Sequence, residues 1–124
     1  MMAKIAAVFY VLWGILHLKA AQAVVLLAIS MESGMVQGRL AQDASFMLMI
    51  SILVMWVAVT RNWINDWTGY WVNLAVVSLV DVFFILLIVM PGYLPLKIAA
   101  GGPVLWLLAA IFSTLAIRQA LKPA

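Results

Sequence analysis

The sequence predicts an all-α integral membrane protein, a bundle of four transmembrane helices in up-down-up-down order. Of its 124 residues, 69% are apolar and 9% are charged, whereas soluble domains average about half apolar and about a quarter charged. A chain this short cannot bury so much apolar surface in water, because small domains leave a large share of their chain exposed. The apolar residues fall into four long runs, so we predict a single four-span transmembrane domain over residues 1–124.

The four spans are expected at about 5–29, 44–59, 70–90 and 98–117. At 1.5 Å per residue, helices of this kind cross a hydrocarbon layer of roughly 30 Å. Because lipid cannot hydrogen-bond to backbone amides, each span should be helical, and the short alternating runs of a membrane barrel do not occur. The connections are expected at 30–43, at 60–69 and at the Pro91–Pro95 turn, with Gly34 and Gly38 giving flexibility to the first.

The distribution of Lys and Arg predicts the orientation. With four spans, both termini share one side with the 60–69 connection, and this side carries Lys4, Arg61, Arg118 and Lys122. Arg39 and Lys97 belong to the opposite side. Cytoplasmic loops carry the excess of positive charge, so both termini are expected in the cytoplasm. The same cations are scattered rather than clustered on one face, which excludes nucleic acid as a partner.

Ionisable residues inside the spans are the candidates for function. His17 and Lys19 fall near the centre of the first span, and Asp81 near the centre of the third. A charged side chain at this depth costs roughly 2.5–3.5 kcal/mol on insertion scales, so these groups should face protein or a wet cavity. We expect Asp81 to pair with Lys19 or to hydrogen-bond to His17. His17 and Lys19 lie about 200° apart around the helix, so they cannot both point at one partner.

The predicted site contains five residues, His17, Lys19, Gln22, Asn73 and Asp81. Gln22 shares the side of Lys19, Trp13 shares the side of His17, and Asn73 lies nearer one end of its helix. In a catalysed reaction Asp81 is the expected general base and His17 the complementary acid or an axial haem ligand. Structural roles remain open as well, because polar residues also join helices in membranes and Lys19 can extend to the interface. A lone histidine without cysteine provides no metal-site spacing, so no metal is predicted.

We expect this site to bind a lipophilic small molecule or cofactor, with proton transfer between Asp81 and His17; the residues do not specify which molecule. Two alternatives remain open: a non-catalytic accessory subunit of a larger membrane complex, and a small proton-coupled transporter in which Asp81 titrates. Small residues at 99–102 permit close packing of the fourth helix, and a homo-oligomer is a further possibility. The sequence has no nucleotide-binding or hydrolase motif, so it assigns no enzyme activity. The bilayer itself is the expected environment.

Overall fold

The structure, a computed structural model, describes residues 1–121, and every regular element in that range is helical. Lys122, one of the cations used to predict the orientation, lies outside the described residues. The elements are α1 (Met2–Ile29), α2 (Met35–Thr60), a 3-10 turn (Asn62–Ile64), α3 (Trp67–Phe84) with a following π-helical turn (Ile85–Val89), α4 (Leu96–Ala99) and α5 (Gly101–Ala120). Four helical stretches are long and apolar enough to cross a membrane, so the all-α prediction with four such helices is confirmed.

The first connection is shorter than predicted. The sequence indicated a loop over 30–43, but α2 already begins at Met35, and the Gly38 amide donates to the Gly34 carbonyl oxygen at 3.0 Å. The interpretation of Gly38 as a loop residue was therefore wrong. Hydropathy marks where a helix becomes apolar, whereas the polar first turns of α2 form a regular helix alongside α1. Arg39 donates to Gln42 at 2.9 Å within these turns.

α1 is the central helix, because it packs against both α2 and α5. Gly14 allows the close approach of α2: a Cβ at this position would collide with the Met55 side chain and lie 3.2 Å from the Ser51 carbonyl oxygen. α3 completes the bundle by packing against α2 and α5. The fully buried core combines small and large side chains, namely Ala7, Tyr10, Trp13, Val54, Ala58, Val77 and Ala109.

Local hydrogen bonds fix the ends of α3 and α5. Asp66 caps α3, since its Oδ2 accepts from the Gly69 amide at 3.0 Å. Asn65 adopts the left-handed conformation at φ 61°, and its Nδ2 donates to the Ala116 carbonyl oxygen at 3.2 Å. Pro103 lies in the first turn of α5, where a missing backbone N–H removes no helical hydrogen bond. These contacts hold α3 and α5 in the register that brings Asp81 close to the start of α5.

Candidate functional site

Asp81 is fully buried in the interior of α3. It lies on the buried face that also carries Asn73 and Val77, because residues four apart share one side of a helix. Its Oδ2 accepts a hydrogen bond of 2.6 Å from the indole Nε1 of Trp13 on α1. Its Oδ1 is also buried and has no hydrogen-bond partner among residues 1–121. One carboxyl oxygen is thus held by the protein, and the other remains available.

His17 follows Trp13 by one helical turn and lies against it. The two rings stack with their centroids 3.7 Å apart and an interplanar angle of 25°. Nδ1 of His17 lies 2.9 Å from the carbonyl oxygen of Trp13. Because a carbonyl oxygen only accepts, Nδ1 must carry the hydrogen and donate, which leaves Nε2 of the neutral imidazole as an acceptor. His17 is 9% exposed, whereas Trp13 and Asp81 are completely buried.

Gly102 of α5 forms the third wall of this site. A Cβ on Gly102 would lie 3.0 Å from Asp81 Oδ1 and 3.3 Å from His17 Cε1. The unpartnered carboxyl oxygen and the Cε1 edge of the imidazole therefore both face Gly102, where a larger residue would be crowded. We call Trp13, His17, Asp81 and Gly102 the Asp81–His17 site.

The structure does not bring Lys19 or Gln22 into this site. Both side chains are exposed, whereas His17 is buried, as the angular separation of about 200° between His17 and Lys19 requires. The predicted pairing of Asp81 with Lys19 or with His17 is corrected, because the Trp13 indole is the partner that the structure shows. Gln22 instead lines a groove between α1 and α2, opposite Ala44 and Ser45.

Asn73 is buried but belongs to a different cluster. It precedes Asp81 by two helical turns, and its Nδ2 donates to the Val54 carbonyl oxygen at 3.1 Å and to Asn62 Oδ1 at 2.8 Å. These bonds join α3 to α2 and to the 3-10 turn. Of the five predicted site residues, the structure brings together only His17 and Asp81.

Trp13 and Gly102 are the members of the site that the sequence did not assign to it. The spacing of four residues already places Trp13 beside His17, and a buried indole N–H usually finds an acceptor, so this signal was present. Gly102 was interpreted only as a packing residue. Its position against Asp81 depends on the way α5 packs against α1 and α3, which no local pattern encodes.

The arrangement can bind and exchange a proton. A carboxyl group with one available oxygen lies beside an imidazole whose Nε2 is an acceptor, and both groups can give or take a proton. His17 Nε2 is also a nitrogen of the kind that binds haem iron. The described residues contain no group of three or more His, Cys, Asp or Glu that could hold a metal ion.

Comparisons with protein-family models, with curated proteins and with solved structures find no match for this chain.

Proposed function

We propose that the chain is an integral membrane protein, with a single four-span domain in up-down-up-down order and both termini in the cytoplasm. The four apolar helices support insertion, as do the large apolar side chains that they expose, such as Ile52, Leu79, Leu87 and Ile111. Soluble proteins rarely expose apolar surface this extensive. The orientation rests on Lys4, Arg61 and Arg118 near the cytoplasmic side, against Arg39 and Lys97 on the other.

In this arrangement the Asp81–His17 site is enclosed by the bundle, whereas Lys19, two residues further along α1, is exposed. Gln22 faces Ala44 and Ser45 across the groove between α1 and α2. The polar start of α2, which ends at Asp43, therefore lies level with the last turns of α1. Lys19 is one turn from this polar zone, so its exposed amine reaches the interface at a modest cost. Asp81 has no such exit.

We infer that the Asp81–His17 site binds a lipophilic small molecule, with a proton shared between Asp81 and His17. The observation that carries this proposal is the buried, unpartnered Oδ1 of Asp81 directed at Gly102. A buried polar group without a partner costs about 1–3 kcal/mol, and intramembrane acids usually mark functional sites. A ligand group that supplies the missing hydrogen bond would recover this cost. With the shared proton on His17, the Asp81 carboxylate would be the general base of a catalysed reaction and the imidazolium the complementary acid.

Native mass spectrometry of gently extracted protein tests the proposal. The wild type should carry a small molecule, and Asp81→Leu, which removes both carboxyl oxygens at similar size, should lose at least about tenfold of it, because one hydrogen bond to a buried group contributes about that factor. Asp43→Leu is the matched control, since Asp43 is an exposed acid on α2, and it should retain the ligand.

Equal ligand content in the wild type and Asp81→Leu would contradict the proposal. A stoichiometric protein partner without any small molecule would also contradict it and would favour the accessory-subunit alternative. Flux driven by a pH gradient in proteoliposomes, without stable ligand binding, would favour the transporter instead.

A further inference from the structure

We propose that the ligand of the Asp81–His17 site is a lipophilic alcohol, whose hydroxyl lies between Asp81 Oδ1 and His17 Nε2. We also propose that it enters from the lipid between α1 and α5, past Leu16. This inference rests on the proposed function and names the chemical class that the site accepts.

The hydrogen-bonding groups of the site define the ligand's head group. Trp13 occupies Asp81 Oδ2 through its indole and His17 Nδ1 through its carbonyl oxygen. Two groups remain, Oδ1 of Asp81 and Nε2 of His17. The protonated carboxyl avoids the cost of a buried charge, and in that form Oδ1 can donate while Nε2 accepts. A hydroxyl group supplies one acceptor and one donor, so it satisfies both atoms.

Other head groups fit this pair of atoms less well. An ether or ketone oxygen only accepts, and it would leave Nε2 of His17 without a donor. An ammonium or a carboxylate would add a charge to the hydrocarbon interior at a cost of several kcal/mol. A plain hydrocarbon would leave both polar atoms unsatisfied. Of these classes, the alcohol is the one that satisfies both unpartnered atoms.

The surroundings of Gly102 define the route. Two adjacent glycines, Gly101 and Gly102, leave the α5 side of the site without side chains. Leu16 lies over both of them, with Cδ1 3.3 Å from the Cβ position of Gly101 and Cδ2 3.7 Å from that of Gly102. Leu16 is 39% exposed and so contacts the surrounding medium as well as the glycines. We therefore place the entry at this seam between α1 and α5, where Leu16 contacts both glycines.

Photolabelling with a matched pair of probes tests the inference. One probe is a long-chain alcohol carrying a diazirine beside its hydroxyl, and the other is its methyl ether. In the wild type the alcohol should label the seam around Leu16 and Gly101. Unlabelled alcohol should compete at about tenfold lower concentration than unlabelled ether, since the ether forfeits one hydrogen bond.

Two helical glycines provide the matched variants. Gly102→Ala places a methyl group 3.0 Å from Asp81 Oδ1 and 3.3 Å from His17 Cε1, whereas Gly38→Ala on α2 has nothing within 4 Å of its Cβ position. Labelling by the alcohol should fall about tenfold in Gly102→Ala and should stay within about twofold of wild type in Gly38→Ala. His17→Phe retains a ring against Trp13 but removes Nε2, so it should abolish the preference for alcohol over ether. This third variant keeps the test valid if Gly102→Ala does not fold.

Equal competition by alcohol and ether in the wild type would overturn the inference, as would labelling confined to other surfaces. The proposed function would survive either result if Asp81→Leu still loses the co-purified ligand. Conversely, unchanged ligand content in Asp81→Leu would remove the proposed function itself. The two failures are therefore distinguishable.

Discussion

The indole Nε1 of Trp13 donates a 2.6 Å hydrogen bond to Oδ2 of Asp81, and this bond joins α1 to α3 across 68 positions of the chain. It determines which carboxyl oxygen is occupied and which faces Gly102. The same tryptophan stacks on His17 and accepts from its Nδ1 through the backbone. Trp13 therefore positions both ionisable groups of the site.

Replacing Trp13 with Phe should destabilise the protein. The variant retains an aromatic ring against His17 but removes the indole N–H, so both oxygens of Asp81 would then lack partners. We expect the free energy of unfolding to fall by about 1–3 kcal/mol, measured by titration with a denaturing detergent. Trp56→Phe is the control, because Trp56 is 66% exposed and should change stability little. Equal losses in the two variants would show that the Trp13–Asp81 bond contributes no specific stability.

Substitution of Gly14 should separate α1 from α2. An alanine Cβ there would collide with Met55 and crowd the Ser51 carbonyl oxygen, which should cost about 1–3 kcal/mol of stability. Gly38→Ala is the matched control, since nothing lies within 4 Å of its Cβ position and it occupies a helix. Helix propensity predicts a gain of about 0.5–1 kcal/mol for Gly38→Ala. Thermal unfolding in one detergent would compare the two, and a stable Gly14→Ala would argue against this packing.

Replacing Asn73 with Ala should affect stability but leave the ligand bound. The variant loses the bonds to Val54 and Asn62 and deprives the buried Asn62 Oδ1 of this donor, which predicts a loss of about 1–3 kcal/mol. Ligand content by native mass spectrometry should match the wild type in the fraction that folds. Loss of the ligand together with retained stability would place Asn73 in the binding site, as the sequence first suggested.

Lys19→Gln should leave both properties intact. Lys19 is exposed and lies one helical turn from Gln22, which lines the groove between α1 and α2. Removal of its amine should therefore shift the unfolding free energy by no more than about 0.5 kcal/mol. Ligand content should also remain at the wild-type level. A large drop in ligand content would instead indicate that Lys19 turns inward to meet Asp81.

The all-α class and the four long apolar helices could be predicted from composition. Which residues form the Asp81–His17 site could not. Apolar run length predicts four helices because hydrocarbon thickness and the helical rise set one common scale. The same criterion misplaced the start of α2, since residues 35–43 are helical although they include Gln37, Arg39, Gln42 and Asp43. Hydropathy indicates which part of a helix has an apolar environment, but it does not indicate where the helical hydrogen bonds begin.

Among the site residues, His17 and Asp81 were predictable because an ionisable group inside an apolar span is costly without a function or a partner. Lys19 has the same cost by that measure, and only the packing of α1 against its neighbours reveals which side faces inward. Gly102 became a site residue through the contact of α5 with Asp81, a relationship between positions 21 residues apart in the chain. Such long-range contacts lie outside any local pattern.

The most direct measurement is the indole N–H resonance of Trp13, recorded by NMR with ¹⁵N-labelled tryptophan in detergent micelles. The resonance should lie downfield, exchange slowly with deuterated water, and shift strongly in Asp81→Asn, while Lys19→Gln leaves it in place. If the Trp13 signal exchanges as fast as that of exposed Trp56 and does not respond to Asp81→Asn, then Trp13 and Asp81 do not meet and the site does not exist.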